Sequence, residues 1–305
     1  MENFPRTITE FEEWFSTEES CRKYLWELRW PNGFVCPQCS HDKTWTTSRG
    51  LYVCAKCGLQ ISVTSGTLFQ GTRKPLHSWF RAIWYITNQK HGVSALGLQR
   101  VLDIKSYTTA WRWLHKLRIA MVRPGREMLS GVVEVDETYL GGHRPGKRGR
   151  GAEHKMLIGV AVEIKNDGHI GRIRMKHVPD ASADSLVSFI QDSVEKGSTI
   201  ATDGWLGYHP VAAKGYCHEI AKGLEDVGVN MTPHVHRIAS LLKRWLIGTH
   251  QGAPEASHIA YYLDEFTFRF NRRTSDSRGK LFYRLMQQAA QVGTVKNQDL
   301  VGKKR

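Results

Sequence analysis

The run Gly131-Val132-Val133-Glu134-Val135-Asp136 ends in an aspartate, and so does Ser198-Thr199-Ile200-Ala201-Thr202-Asp203. Apolar and β-branched residues dominate both, which predicts two strands that each deliver a carboxylate at the C-terminal end. Between them the pattern predicts a second strand over Met156 to Ile164 and a third from about His169 to Val178. A helix follows from Ala183 to Val194. Two carboxylates carried together by strand ends can hold a divalent metal ion.

The chain around these acids is basic, with 43 Lys and Arg against 29 Asp and Glu and a net charge of +14. That excess favours a phosphate-bearing partner, DNA or RNA, although a ribosome-associated or membrane-surface protein would share it. No stretch reaches the roughly 20 apolar residues of a spanning helix. The first residues, Met1-Glu2-Asn3-Phe4-Pro5-Arg6, lack the basic start and apolar core of a signal peptide, so a cytoplasmic, nucleoid-associated protein is expected.

Four of the six cysteines form two C-x2-C pairs, Cys36/Cys39 and Cys54/Cys57, with 14 residues between the pairs. Four thiolates at this spacing suit one tetrahedral zinc, structural because protein fills all four positions. Gly58 follows the second pair as a tight turn requires, and Phe34-Val35 and Leu51-Tyr52-Val53 read as ribbon strands. Cys21 and Cys217 stand alone, which argues against a disulfide framework.

Ahead of the cysteines, Ser16-Thr17-Glu18-Glu19 fits a capping box before a helix with Tyr24, Leu25, Leu28 and Trp30 on its apolar face. After them, residues 71 to 120 show helical spacing, including Leu76, Phe80, Ile83, Trp84 and Ile86. Two short helices around Asp103-Ile104-Lys105 fit a helix-turn-helix whose second helix turns Ser106, Tyr107, Thr108, Arg112 and Lys116 outward. An ordinary helical linker would look the same.

The three-strand, helix, strand order is that of the ribonuclease H-like fold, in which the first and fourth strands are neighbours and Asp136 and Asp203 would meet. The expected class is therefore mixed α/β (α+β): a ribonuclease H-like domain preceded by a zinc ribbon and a helix-turn-helix region. The segment from Gly141 to Gly151 is too rich in Gly and Arg to fill a core. It reads either as a solvated linker or as a phosphate-gripping loop through Arg144, Lys147, Arg148 and Arg150. Further on, His236, Ser240 and Lys243 share one face of a predicted helix, with Arg237 and Arg244 beside it.

The stretches Val135-Asp136-Glu137-Thr138-Tyr139-Leu140-Gly141-Gly142, Thr202-Asp203-Gly204, Ser240 to His250 and Tyr262 to Arg273 together resemble the DDE-type transposases of bacterial insertion sequences, in the group with an N-terminal zinc ribbon. The resemblance covers about residues 20 to 285. It implies that Asp136, Asp203 and a third residue bind two catalytic Mg²⁺ or Mn²⁺ ions, and that a lysine, Lys243, follows the third residue by seven positions. The third position falls on His236 rather than glutamate, an Asp-Asp-His-Lys variant. Neutral imidazole favours Mn²⁺ or another transition ion over Mg²⁺. Glu265 is the fallback third ligand.

The implied activity is DNA transposition by metal-dependent phosphoryl transfer, with double-stranded DNA (terminal inverted repeats and target) as partner, a homo-oligomer on DNA, and no membrane. The rivals are a DNA-binding protein with an inactive nuclease fold derived from a transposase, and a nuclease or resolvase that cuts without joining. The expected domains are a helical lead-in (1–30), the ribbon (31–70), the helix-turn-helix region (71–125), the catalytic domain (126–285) and a basic tail (286–305).

Overall fold

The computed structural model describes residues 3–123, 125–141, 155–220, 232–252 and 254–300. The chain divides into two compact units, one of residues 1–124 with 275–305, the other of residues 125–274.

The first unit opens with α1 (Ile8–Trp14) and α2 (Glu18–Arg29). The cap of α2 is Thr17, which accepts from the Ser20 N–H, one residue later than the expected Ser16 box. Glu18 is thereby left for another task. Both its oxygens accept backbone N–H bonds at the start of α3 (Leu76–Asn88), from Leu76 at 3.0 Å and His77 at 3.2 Å. That helix has Pro75 at its cap position and no side-chain cap of its own.

Between α2 and α3, three short antiparallel strands form the ribbon: β1 (Thr44–Thr46), β2 (Tyr52–Cys54) and β3 (Gln60–Ile61). Phe34-Val35 is not a strand. It leads into the first cysteine turn, where the Cys36 N–H bonds to the His41 carbonyl. After α3 come α4 (Ala95–Val101), capped by Ser94, and α5 (Tyr107–Ala120), joined through Asp103 at φ 48°. This is the helix pair that the sequence predicts.

The second unit is a five-stranded mixed sheet: β4 (Val132–Leu140), β5 (Met156–Ile164), β6 (Ile170–Val178), then α6 (Ala183–Ser193), β7 (Thr199–Thr202), a 3₁₀ helix (Leu206–Lys214) and β8 (Cys217–Ile220). Its order is β6-β5-β4-β7-β8. The first three strands run antiparallel to their neighbours, and β7 returns parallel to β4. Two further helices, α7 (Pro233–His250) and α8 (Ile259–Asn271), complete the unit.

Alternation along β4 sends Val133 and Val135 into a core with α6 and the 3₁₀ helix. Leu140 enters a second core, formed with α7 and α8 on the opposite face. Gly159 on β5 lets α6 approach closely: a Cβ there would lie 2.9 Å from the Phe189 ring.

The chain then returns to the first unit as α9 (Arg278–Gln291) and α10 (Asn297–Leu300). Phe282 of α9 meets the rings of Phe11, Phe15, Tyr24, Phe80 and Trp84, with centroids between 5.5 and 6.3 Å. Residues 278–291 therefore belong to this aromatic core, neither to the end of the second domain nor to a tail as expected. The cause is the apolar face of α9, with Leu281, Phe282, Leu285, Met286 and Ala289 all buried.

Candidate active site

Asp136 does not end its strand as expected: residues 137–140 keep pairing with β5, so β4 runs on to Leu140, whereas Asp203 does follow the end of β7. The two acids come together because β4 and β7 are parallel and in a fixed register, Val132 beside Thr199, Val133 beside Ile200 and Glu134 beside Ala201. Carried two residues on, the same register sets Asp203 level with Asp136, on the same face of the sheet.

Asp136 is 7% exposed. The Glu137 N–H donates to its Oδ1 at 2.7 Å and the Thr232 hydroxyl to its Oδ2 at 2.9 Å. Burial raises its pKa. Those two hydrogen bonds oppose the shift, and the neighbouring carboxylates of Glu137 and Asp203 add to it. Asp203 is turned by its own loop, accepting the Trp205 N–H on Oδ1 at 3.0 Å. Gly204, at φ 81°, makes the bend between them.

Helix α7 brings the third position. Thr232 precedes it, and Pro233 occupies a first-turn position where no N–H is needed. His236 lies on the first turn, 56% exposed, with Nε2 3.6 Å from Asp136 Oδ2. Ser240, Lys243, Arg237 and Arg244 are exposed along the same helix. Partial burial, and then the ammonium of Lys155, hold the Lys243 pKa below the usual lysine range. Lys155 went unnoticed in the sequence. It immediately precedes β5, beside the end of β4, where Leu140 faces Met156.

Glu134 also escaped notice. It is buried two residues before Asp136 on the same strand face, and its Oε2 accepts the N–H groups of His234 (2.9 Å) and Val235 (3.2 Å). The His234 Nδ1 donates to its Oε1 at 2.6 Å. The only sequence signal is a charge inside an otherwise apolar strand.

On the opposite face, the buried Tyr208 hydroxyl donates to Glu137 Oε2 at 2.7 Å. Glu265, the fallback ligand, lies apart from this group. It is 1% exposed on α8, which packs on β6, and it is ion-paired with Arg269 at 2.8 Å.

In the first unit the four thiols converge. Cys36 and Cys57 Sγ are 3.6 Å apart, Cys39 and Cys54 Sγ 3.5 Å, and all four lie within 4.8 Å of one another. Sulfurs about 2.3 Å from a tetrahedral zinc stand about 3.8 Å apart, so the cluster is built to coordinate a structural zinc. Each pair closes a tight turn, with Ser40 (φ 57°) after the first and Gly58 (φ 71°) after the second. Among the described residues these thiols are the set of three or more donors gathered within that distance; Asp136, Asp203 and His236 do not close into one.

On α5, Tyr107 and Thr108 are exposed with Ser106 ahead of them, but Arg112 and Lys116 are half-buried. Arg112 Nε is enclosed, and burial lowers the Lys116 pKa. Neither points fully outward as expected, because Ala110, Trp113, Leu114 and Leu117 turn that part of the helix into the core. Arg144, Lys147, Arg148 and Arg150 lie outside the described residues, as does the last stretch of the expected tail, 301–305. No helix among the described residues is long and apolar enough to cross a membrane.

Residues 16–60 match a transposase zinc-ribbon domain and residues 128–271 an ISXO2-like transposase domain. The chain is 27% identical over 278 residues to an uncharacterized protein in transposable element ISH50 of Halobacterium salinarum, covering 84% of this chain and 91% of that protein. That relative is archaeal, so the bacterial setting expected above gains no support from it. Among solved structures, the catalytic core domain of BIV integrase aligns at 18% identity over 45% of this chain and 81% of that one. Its TM-score is 0.30, too low to carry weight beside the strand order itself. The chain has the domain architecture of a DDE-type transposase of the ISXO2-like group, a zinc ribbon ahead of a ribonuclease H-like domain.

Proposed function

We propose that the protein is the transposase of an insertion sequence, which binds terminal inverted repeats in double-stranded DNA and carries out metal-dependent cleavage and strand transfer. The observation that carries this reading is the β4–β7 register, which sets Asp136 level with Asp203, with His236 reaching 3.6 Å from Asp136.

The donor set fits divalent ions. Two ligands on one ion, each roughly 2.1 Å from it, stand about 3 to 4 Å apart. A cation would also relieve the repulsion among the carboxylates around buried Asp136. Asp136, Asp203 and His236 would hold two Mg²⁺ or Mn²⁺ ions. Ions bound there supply the Lewis acidity that activates the attacking oxygen and stabilises the leaving one.

The protein supplies the geometry. The Glu137 N–H and Thr232 hydroxyl fix both oxygens of Asp136. Lys243, two turns and about 10 Å along α7 from His236, would contact a DNA phosphate. Lys155, Arg237, Arg244 and the basic loop through Arg144, Lys147, Arg148 and Arg150 would extend that contact, making binding strongly salt-dependent. The ribbon and the α4–α5 pair would select the repeats, through Ser106, Tyr107 and Thr108 ahead of Arg112 and Lys116. Joining two ends requires a homo-oligomer on DNA, acting where the nucleoid is.

A DNA-binding protein with an inactive nuclease fold is the second reading. It is favoured by a third position that is a half-exposed histidine. Strand transfer with pre-cut ends and a target plasmid, in Mn²⁺ and in Mg²⁺, decides between them. Joined products from the wild type, lost in Asp136→Ala and His236→Ala, are expected. Ends bound but never joined would favour the second reading, and ends cut without joining would indicate a nuclease.

A further inference from the structure

Glu134 does more than tie a helix to a strand. Its carboxylate accepts from the second and third residues of α7 and from the His234 ring, while the Thr232 hydroxyl that would ordinarily cap this helix is committed to Asp136. The first N–H groups of a helix, which find no partner on an earlier turn, carry about half a positive charge, and this helix starts beside Asp136. A site meant for divalent cations is weakened by positive charge aimed at it. A neutral acceptor would satisfy the N–H groups equally well but leave that charge in place. Here the acceptor is an ionic side chain, buried on the site's own strand face.

We propose that Glu134 is a positioning residue with an electrostatic role: it docks the start of α7 so that His236 stands at Asp136, and its negative charge cancels the positive end of that helix, permitting divalent cations to bind at Asp136 and Asp203. The inference rests on the metal-site reading given above. It is not a proposal that Glu134 is itself a ligand, because both its oxygens are already engaged by α7.

Glu134→Gln separates the two roles: the amide oxygen can still accept from the His234 and Val235 N–H groups, and its NH2 can donate to His234 Nδ1 once that ring carries its proton on Nε2, so docking is kept while the charge is gone. Mn²⁺ binding to the full-length, zinc-loaded protein would be followed by electron paramagnetic resonance without DNA, alongside thermal melting and duplex binding. The Mn²⁺ dissociation constant is expected to rise about five- to thirtyfold in Glu134→Gln, the range for a partly buried charge at a helix end. Melting and DNA affinity should hold, and activity should return as Mn²⁺ is raised. Glu134→Asp, which keeps the charge but shortens the reach, should retain more Mn²⁺ affinity than Glu134→Gln.

Wild-type Mn²⁺ affinity in Glu134→Gln would overturn the electrostatic role while leaving the metal site standing. A wild type that binds Mn²⁺ no better than Asp136→Ala would remove the metal-site reading, and this inference with it.

Discussion

Two adjacent carboxylates on α8 should move stability in opposite directions. Asp264 is largely buried, and burial raises its pKa to about 6, with Arg126 opposing the shift. A carboxyl whose pKa is raised on folding contributes stability that is present below its unfolded value, about 3.9, and lost as pH rises through its folded value. Above pH 6 the folded chain therefore holds an ion that it would rather hold neutral. The shift of roughly two units corresponds to about 3 kcal/mol, and residual solvent contact reduces this to about 2 kcal/mol. Asp264→Asn removes the ion and should raise the melting temperature at pH 8 by about 4 to 8 °C. The gain should shrink steadily toward pH 4.

Glu265 differs because its Oε1 receives two bonds from Arg269, at 2.9 and 2.8 Å, with Glu265 buried and Arg269 half-buried. Glu265→Gln removes the charge that pairs with Arg269 and should destabilise by about 3 kcal/mol, the low end for breaking a buried pair, since the amide keeps one acceptor. Urea melts of both variants at pH 5 and pH 8, with Mn²⁺ binding in parallel, test the argument. A pH-independent Asp264→Asn, or a Glu265→Gln that loses Mn²⁺ as Asp136→Ala does, would refute it. The second result would make Glu265 the third ligand after all.

Removal of zinc by a strong chelator should unfold the ribbon, with release of one zinc per chain measured by a colorimetric thiol-and-metal assay, and should abolish specific end binding. Cys57→Ser should do the same at lower chelator concentrations. Gly279→Ala should be among the most damaging single changes in the first unit, because its Cβ would fall onto the Pro5 carbonyl; soluble yield and melting temperature report it. Gly159→Ala should destabilise the second unit by about 1 to 3 kcal/mol through the Phe189 ring, read by urea titration.

The strands were legible because Val-rich runs have few other uses, and the thiol cluster because C-x2-C spacing forces two sulfurs into one turn. Asp203 follows the end of β7 as its run predicts, but Asp136, expected at a strand end, sits mid-strand because residues 137–140 continue the pairing with β5. Their level placement needed only the expectation that β4 and β7 are neighbours. Glu134 and Glu18 were not legible, since each closes a helix start far along the chain, 100 and 58 residues away. In sequence such residues are only charges in a strand or a first turn. Arg112 and Lys116 were misjudged because helical spacing says which residues share a face but not how wide the buried face is. The return of α9 to the first unit depends on Phe282 meeting rings from α1, α2 and α3, a long-range fit that no local pattern encodes.

The parallel return of β7 is what brings together an acid in the middle of β4 and the acid that follows β7. Helix α6 carries the chain back along the sheet so that β7 starts beside Val132 and the residue after its end, Asp203, comes level with Asp136. Had β7 returned antiparallel, its last residue would lie beside Val132, about 13 Å along β4 from Asp136, at roughly 3.3 Å per residue. The antiparallel partners on the other side of β4 contribute packing instead: Val160 lies opposite Asp136, in the core beneath α7 and α8. The strand where the sheet changes from antiparallel to parallel therefore carries the polar face of Glu134, Asp136 and Thr138, all buried. Its two acids divide the labour, one holding the start of α7 and the other meeting Asp203 and His236. A helix placed by one acid and read by the next is held to within a single pleat of the strand. That is the tolerance a site assembled from residues 100 positions apart requires.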